Sequence, residues 1–158
     1  MDNSKMKFPG ELFDLVSARH TKIDAKQIYD CLTKGGTLVI EGVDQKDCWK
    51  IKELFGKGQG FKDKKSISEK DYEDLVNADF SKIEKFEIKV NEYYETEEEL
   101  LALLLKTPIL DDFSEESFCE YERKSIEMDV FKKFVSQNIT KKGIKLIRRY
   151  YGIIARKQ

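Results

Sequence analysis

Apolar positions along the chain fall into short runs, helical spacings and strict alternations, and these three patterns predict the elements. Residues 12–18 form a short apolar run, typical of a strand buried on both faces of a parallel sheet. Asp24 is placed to cap a helix reaching about Leu32, and Gly35-Gly36 is placed to end it. Residues 37–40 form a second apolar run. A strand, a helix and a strand in this order predict a βαβ unit with parallel strands.

The rest of the chain predicts four helices and two strands. Ser68, three residues before Asp71, is placed to cap one helix. Thr96 caps another, which Pro108 ends. Residues 83–90 alternate apolar and charged side chains, which indicates an edge strand. Helices are also predicted over residues 47–55 and 114–137, and a strand over 144–155. Together these elements predict a single α/β domain over residues 1–158, with helices flanking the sheet.

Charge and cysteine content narrow the classes of function. The net charge is −1, so the whole molecule is not an obvious polyanion binder. Residues 141–157 carry only positive charges, so nucleic-acid binding through Lys145, Arg148 and Arg149 is a minor alternative to a solvated surface.

The three cysteines lie far apart and form no zinc or disulfide pattern, which fits free thiols in the cytoplasm. The apolar run 100–105 is too short to span a membrane. No metal site and no membrane partner are expected.

Several local motifs resemble the C-terminal half of class I S-adenosylmethionine-dependent methyltransferases of the small-molecule type. Phe13–Val16 resembles the fourth strand of that family, and Leu32–Leu38 resembles the L-K-P-G-G-x-L entry to its fifth strand, with Lys34 replacing the usual proline. Residues 83–90 and 144–155 resemble the closing antiparallel hairpin, with the last strand inserted between the fifth and sixth. The resemblance covers nearly all of this chain but about half of such an enzyme. It implies an incomplete Rossmann-like sheet of parallel strands plus a C-terminal antiparallel strand.

The resemblance also implies a function and a deficit. The family transfers a methyl group from S-adenosylmethionine, which it binds through a glycine-rich turn after its first strand and an acidic residue ending its second. Both features precede the matched half, so the isolated chain is expected to be inactive or weak. Residues 56–60 spell G-x-G-x-G, but they come after a predicted helix rather than a strand. We therefore interpret them as a flexible connector and not as a nucleotide loop.

Ligands in open α/β sheets bind beyond the carboxyl ends of the strands, and this rule selects the candidate site. His20 is the candidate base, with a solvated or capping imidazole as the alternative. Arg19 is placed to hold an acceptor carboxylate or phosphate, or forms a surface ion pair. Ser17 and Ala18 are the candidate cofactor contacts. The further candidate substrate contacts are Glu41, Trp49, Tyr93 and Tyr94, of which the three aromatic residues have core packing as their alternative.

Two other functional hypotheses stay open at the level of sequence. One is a non-catalytic binding or regulatory module that keeps only this half of the fold. The other is one half of a split methyltransferase, with a separate polypeptide supplying the first three strands. In that case the strand at residues 12–18 is an exposed edge, which is available to such a partner or to self-association.

Overall fold

A computed structural model of the protein describes residues 8, 10–110 and 125–158. Five strands form one sheet: β1 (Phe13–Arg19), β2 (Leu32–Val43), β3 (Ser81–Tyr94), β4 (Ile139–Thr140) and β5 (Gly143–Arg156). The helices are α1 (Ala25–Cys31), α2 (Trp49–Phe55), α3 (Ile67–Asn77), α4 (Glu97–Lys106) and α5 (Ser125–Asn138), and a 3-10 turn spans Pro108–Leu110. None of the helices within these described ranges is long and apolar enough to cross a membrane.

The strand order is β1-β2-β5-β3, with β4 pairing to β5. β1 and β2 are parallel, from Leu15 opposite Thr37 to Arg19 opposite Glu41. β5 runs antiparallel to β2. The structure thus confirms the α/β class, the parallel βαβ unit and the insertion of the last strand between the second and the third.

The junction between α1 and β2 corrects one prediction. Asp24 caps α1 as expected, because its carboxylate accepts the Gln27 N–H at 2.9 Å. The helix ends at Cys31, however, and Gly35-Gly36 lies inside β2 rather than at the helix end. A Cβ on Gly36 would sit 2.8 Å from the carbonyl oxygen of Thr33 and 3.2 Å from that of Phe13. Close backbone approach at the start of β2, not helix termination, therefore requires glycine here.

Helix α3 starts earlier than predicted. Ser66, not Ser68, is its cap, and Ser66 and Glu69 form a complete capping box. The predicted pair, Ser68 and Asp71, instead lies buried within the helix. Thr96 does cap α4, accepting the Glu99 N–H at 3.2 Å. Helix α5 confirms the part of the helix predicted over 114–137 that begins at Ser125. Residues 114–124 of that prediction lie outside the described residues.

Contacts divide the chain into two compact units. The first comprises residues up to Asp44, 65–88 and 150–158, and the second comprises 45–64 and 89–149. Each unit has its own core, and residues of β3 and β5 contribute to both cores. The single domain that the sequence predicts over residues 1–158 stays a prediction. Fully buried core residues are Leu32, Leu38, Leu75, Ile153 and Ala155 in the first unit and Ile51, Leu100, Leu104 and Leu110 in the second.

The prediction that the first strand is buried on both faces is wrong. Leu12 is 53% exposed and Leu15 is 61% exposed, and only Ala18 within β1 is buried. The reason is the position of β1 at the end of the sheet, where β2 is its one neighbouring strand among the described residues. An apolar run indicates that a strand tends to be buried. It does not indicate which residues bury the strand.

Candidate functional site

The carboxyl ends of β1 and β2 build the candidate site in the first unit. After Arg19, the chain turns at His20, which adopts a left-handed backbone conformation with φ of 49°. Histidine tolerates this region better than most residues other than glycine. The His20 N–H donates to the Glu41 carbonyl at 2.9 Å, which extends the pairing of β1 with β2 by one residue. The backbone therefore fixes His20 at the rim of the sheet.

Three charged or titratable side chains meet at this rim. Arg19 Nε donates to Glu41 Oε1 at 3.2 Å, and His20 Nε2 lies 3.6 Å from the same oxygen. The His20 ring also lies 6.1 Å from the ring of Tyr150, at a tilt of 59°. The side chains of Arg19, His20 and Glu41 are 69%, 39% and 40% exposed, so an incoming small molecule can reach all three. The sequence selected these three residues, but Tyr150 was missed because its partner lies 130 positions away.

A groove of about 530 Å³ runs beside this cluster, between β1 and α1. Ser17, Ala18 and Arg19 line it, together with the polar residues Thr21 and Lys22. Its apolar walls comprise Phe13, Leu15, Val16, Ile23 and Ile28. The candidate cofactor contacts thus lie along a largely apolar groove whose carboxyl end is cationic.

Trp49, Tyr93 and Tyr94 belong to the second unit. Trp49 Nε1 donates to Glu53 at 2.6 Å, and the Trp49 ring packs 5.0 Å from that of Phe61. Tyr93 is exposed, with the Lys142 ammonium 5.7 Å from its ring centre.

Tyr94 packs against the core of the second unit, and its hydroxyl donates to Glu92 Oε2 at 2.6 Å. Burial and the Glu92 carboxylate raise the pKa of Tyr94 above its usual value. The Tyr94 phenol is therefore neutral, and its hydrogen bond to Glu92 lies within the second unit.

A buried ion pair in the second unit was not predicted. Asp47 is 1% exposed and accepts from Arg148 Nε at 3.0 Å and from the Arg149 N–H at 2.6 Å. Arg148 Nη1 lies 3.4 Å from Glu92. No spacing rule links residues 101 positions apart, so the sequence carried no signal for this pair. Arg148 is not available for the predicted nucleic-acid binding. Its side chain is 11% exposed and paired with carboxylates, so it cannot reach a phosphate backbone.

The sequence resemblance implies that S-adenosylmethionine binds at a glycine-rich turn directly after a strand. Among the residues that the structure describes, no positive-φ glycine comes directly after β1 or β2 at that end. The Gly56–Gly60 loop comes after α2. Hydrogen bonds hold this loop in place, so it is not the flexible connector that the sequence predicted. The buried Lys52 ammonium donates to the Gln59 and Gln45 carbonyls at 2.8 and 3.2 Å, and Gln45 Nε2 donates to the Gly60 carbonyl at 2.8 Å. Among the described residues, the glycine-rich loop therefore follows a helix and not a strand.

Comparisons with known proteins find similarity among solved structures. No family model matches the sequence, and no curated protein matches it. Among solved structures, a provisionally assigned methyltransferase from Bacillus halodurans C-125 aligns with 99% of this chain and 69% of its own, at 16% identity and a TM-score of 0.49. Phosphoethanolamine N-methyltransferase 2 from Haemonchus contortus aligns with 99% of this chain and 36% of its own, at 19% identity and a TM-score of 0.44. A SAM-dependent methyltransferase from Archaeoglobus fulgidus aligns with 94% of this chain and 61% of its own, at 18% identity and a TM-score of 0.41. This chain therefore spans only part of each of these three structures.

Proposed function

We propose that this chain forms the acceptor side of an S-adenosylmethionine-dependent methyl-transfer site for a small molecule. The supporting observation is the meeting of Arg19, His20 and Glu41 at the carboxyl ends of two parallel strands. Ligands of open α/β sheets bind at this edge. The antiparallel β5 beside β2 is the arrangement that the sequence resemblance implies. S-adenosylmethionine is the cofactor implied by the same resemblance.

Each residue of the cluster has a defined task in this proposal. His20 removes a proton from the hydroxyl or amine of the acceptor, because its exposed imidazole can contact an incoming small molecule. Glu41 orients His20 and Arg19 through one shared oxygen. Arg19 contacts Glu41 through Nε, which leaves its two Nη groups for a carboxylate or phosphate on the acceptor. Ser17 and Ala18 line the side of the groove where the cofactor would lie. Trp49, Tyr93 and Tyr94 remain predicted substrate contacts.

Tight cofactor binding is not expected of the isolated chain. The described residues include no positive-φ glycine directly after β1 or β2. We therefore expect the isolated chain to be inactive or weak. The partner of the chain in this proposal is a small methyl acceptor. The expected compartment is the cytoplasm, since Cys31 and Cys48 are free thiols.

A second candidate function is a non-catalytic binding or regulatory module. The lack of a positive-φ glycine after β1 or β2 among the described residues favours it, because acceptor binding needs the cluster at His20 but does not need the cofactor. The two candidates agree on where a small molecule binds. They differ on whether S-adenosylmethionine methylates it.

The test combines ligand binding with methyl transfer. A pool of small hydroxyl and amine compounds that carry a carboxylate or phosphate is screened by ligand-observed NMR. We expect a subset to bind, and binding to be lost in Arg19→Ala and His20→Asn. Asparagine keeps the tolerance for positive φ at position 20 and removes the imidazole. Lys132→Ala, on the exposed face of α5, is the matched control and should bind normally.

Binding that is indifferent to Arg19→Ala and His20→Asn would contradict the assignment of the site. Micromolar binding of S-adenosylmethionine by calorimetry would contradict the incomplete cofactor side. Label transfer from tritiated S-adenosylmethionine to a bound acceptor, reduced by His20→Asn, favours the enzyme. Acceptor binding without label transfer at high protein concentration favours the binding module.

A further inference from the structure

Within the second unit, β5 carries apolar residues on one face and basic residues on the other. Ile144 and Leu146 are buried in the core of that unit. Side chains alternate between the two faces along a strand. Lys145, Ile147 and Arg149 therefore lie on the opposite face, where all three are half-buried.

β3, the neighbour of β5 in the sheet, divides its residues in the same way. Tyr94 packs against the core of the second unit. Glu92, two residues before it, lies on the same face and accepts from Arg148 Nη1 at 3.4 Å. Lys89 and Tyr93 therefore lie on the opposite face with the basic residues of β5. Both are exposed, Tyr93 by 39%.

Lys142 reaches the same face from the turn that precedes β5. Its ammonium lies 5.7 Å from the centre of the Tyr93 ring, which confirms that the two side chains share one surface. We call this surface the basic face, and it comprises Lys89, Tyr93, Lys142, Lys145, Ile147 and Arg149. All of these residues belong to the second unit.

The four cations of the basic face pair with no acidic side chain among the residues that the structure describes. Within residues 89–94 and 143–149 the one acidic residue is Glu92, and it lies on the opposite face. The backbone N–H of Arg149 donates to Asp47 at 2.6 Å, which fixes the position of that arginine. Like charges gathered without acids between them produce a positive local potential. Such a surface attracts a ligand with several negative charges, although the whole chain is near neutral.

An exposed aromatic ring among the cations favours single-stranded nucleic acid over other polyanions. Unpaired bases stack on aromatic side chains while the phosphates contact cations beside them. The Tyr93 ring is exposed and lies on a sheet surface, where a base can approach its face. A duplex keeps its bases stacked on one another, and an acidic peptide has no base to stack. Lys145 and Arg149 stand about 13 Å apart along β5, so the basic face accommodates several nucleotides.

We propose that the basic face binds single-stranded nucleic acid. Its phosphates contact the four cations, and one unpaired base stacks on Tyr93. This surface differs from the basic stretch of sequence at residues 141–157, because it excludes Arg148 and includes Lys89 from β3. The inference goes beyond the proposed function and does not rest on it, since contacts to phosphates and bases need neither a methyl acceptor nor a cofactor.

The probe is a fluorescein-labelled oligothymidylate of about twelve nucleotides, a length that exceeds the face, and its binding is followed by anisotropy. The titration is repeated between about 50 and 200 mM salt, because phosphate contacts release counterions. Four contacts to a single strand predict a slope of about −3 for the logarithm of the association constant against the logarithm of the salt concentration. Lys145→Ala and Arg149→Ala should each make this slope shallower by about 0.7.

Substitutions of Tyr93 separate stacking from charge. Tyr93→Leu should weaken binding about tenfold and leave the salt slope unchanged, because it removes the ring but no cation. Tyr93→Phe keeps the ring and should bind as the wild type does. Lys132→Ala is the matched control, because Lys132 is an exposed lysine of the same unit that lies on α5 and not on the basic face. It should change neither the affinity nor the slope.

Three outcomes would overturn the proposal. The first is the absence of salt-dependent binding at the lowest salt concentration. The second is binding that both Lys145→Ala and Tyr93→Leu leave unchanged, which would place the nucleic acid elsewhere on the chain. The third is equal competition by an unlabelled polyglutamate peptide or by a duplex of the same length, which would make the basic face a general polyanion surface. Competition by unlabelled oligothymidylate alone would support the proposal.

Discussion

Tyr151 in β5 donates its phenolic hydrogen to Asp71 in α3, with 2.6 Å between the two oxygens. Burial raises the pKa of Asp71, while the bond from Tyr151 opposes that rise. Burial and the Asp71 carboxylate raise the pKa of Tyr151, so the phenol stays protonated as the donor. The pair links α3 to the sheet within the core of the first unit.

Tyr151→Phe should lower the free energy of unfolding at neutral pH by about 1–3 kcal/mol, because a buried carboxylate loses its donor. The pKa of Asp71 is raised in the folded protein, so folding favours its protonated form. The wild-type protein should therefore be more stable below the usual aspartate pKa of about 4 and lose that increment as pH rises. The cost of Tyr151→Phe should shrink at acidic pH. Urea titrations of both proteins across this range measure the effect, and a cost independent of pH would contradict it.

The Asp47–Arg148 pair gives a larger effect. Asp47→Ala leaves a nearly buried guanidinium without its main partner and removes the acceptor of the Arg149 N–H. We expect a loss of about 3–5 kcal/mol in the free energy of unfolding. Lys26→Ala breaks an exposed pair with Asp30 and serves as the control, with an unchanged midpoint. Equal denaturation midpoints for the two variants would show that Asp47 has no such role.

Lys52 should determine how firmly the Gly56–Gly60 loop is held. Lys52→Met keeps the buried aliphatic chain but removes the donor to the Gln59 and Gln45 carbonyls. Two carbonyls lose their partner, and we expect a destabilisation of about 1–3 kcal/mol. Limited trypsin digestion should cut at Lys57 and Lys62 sooner in the variant. A digestion pattern identical to wild type would show that the loop is held by other contacts.

Cys48 should be inert in the native protein. It is 1% exposed, and burial together with the Asp47 carboxylate raises the pKa of its thiol. Because the thiolate is the reactive form, alkylation of Cys48 should be negligible until the protein unfolds. Mass-mapped labelling with iodoacetamide, with and without urea, measures this. Rapid native labelling at Cys48 would contradict its burial.

Local chemistry was predictable from the sequence, and long-range polar pairing was not. The Asp24 and Thr96 caps, the parallel β1–β2 unit and the position of β5 were all predicted correctly. The Gly35-Gly36 pair was placed wrongly, because glycine serves helix ends and crowded strands equally well. The cap of α3 was predicted at Ser68, but Ser66 caps the helix because Glu69 stands at the spacing that a capping box needs.

Within the candidate site, the sequence indicated the residues just after each strand but not the partners that reach them from across the sheet. Arg19, His20 and Glu41 were selected by the rule on carboxyl ends. Tyr150 came to the cluster through the antiparallel pairing of β5 with β2, where it lies opposite Val43. The buried Asp47–Arg148 pair likewise depends on contacts between residues more than a hundred positions apart.

The strand order β1-β2-β5-β3 also constrains the timing of folding during synthesis. β5 is the last of the five strands to leave the ribosome, yet it lies between β2 and β3. Until residues 143–156 have emerged, β2 and β3 have nothing between them, and each presents an unpaired edge to other nascent chains. Closure of the sheet must wait for β5, so the edges of β2 and β3 are most exposed to aggregation in the interval between the synthesis of β3 and that of β5.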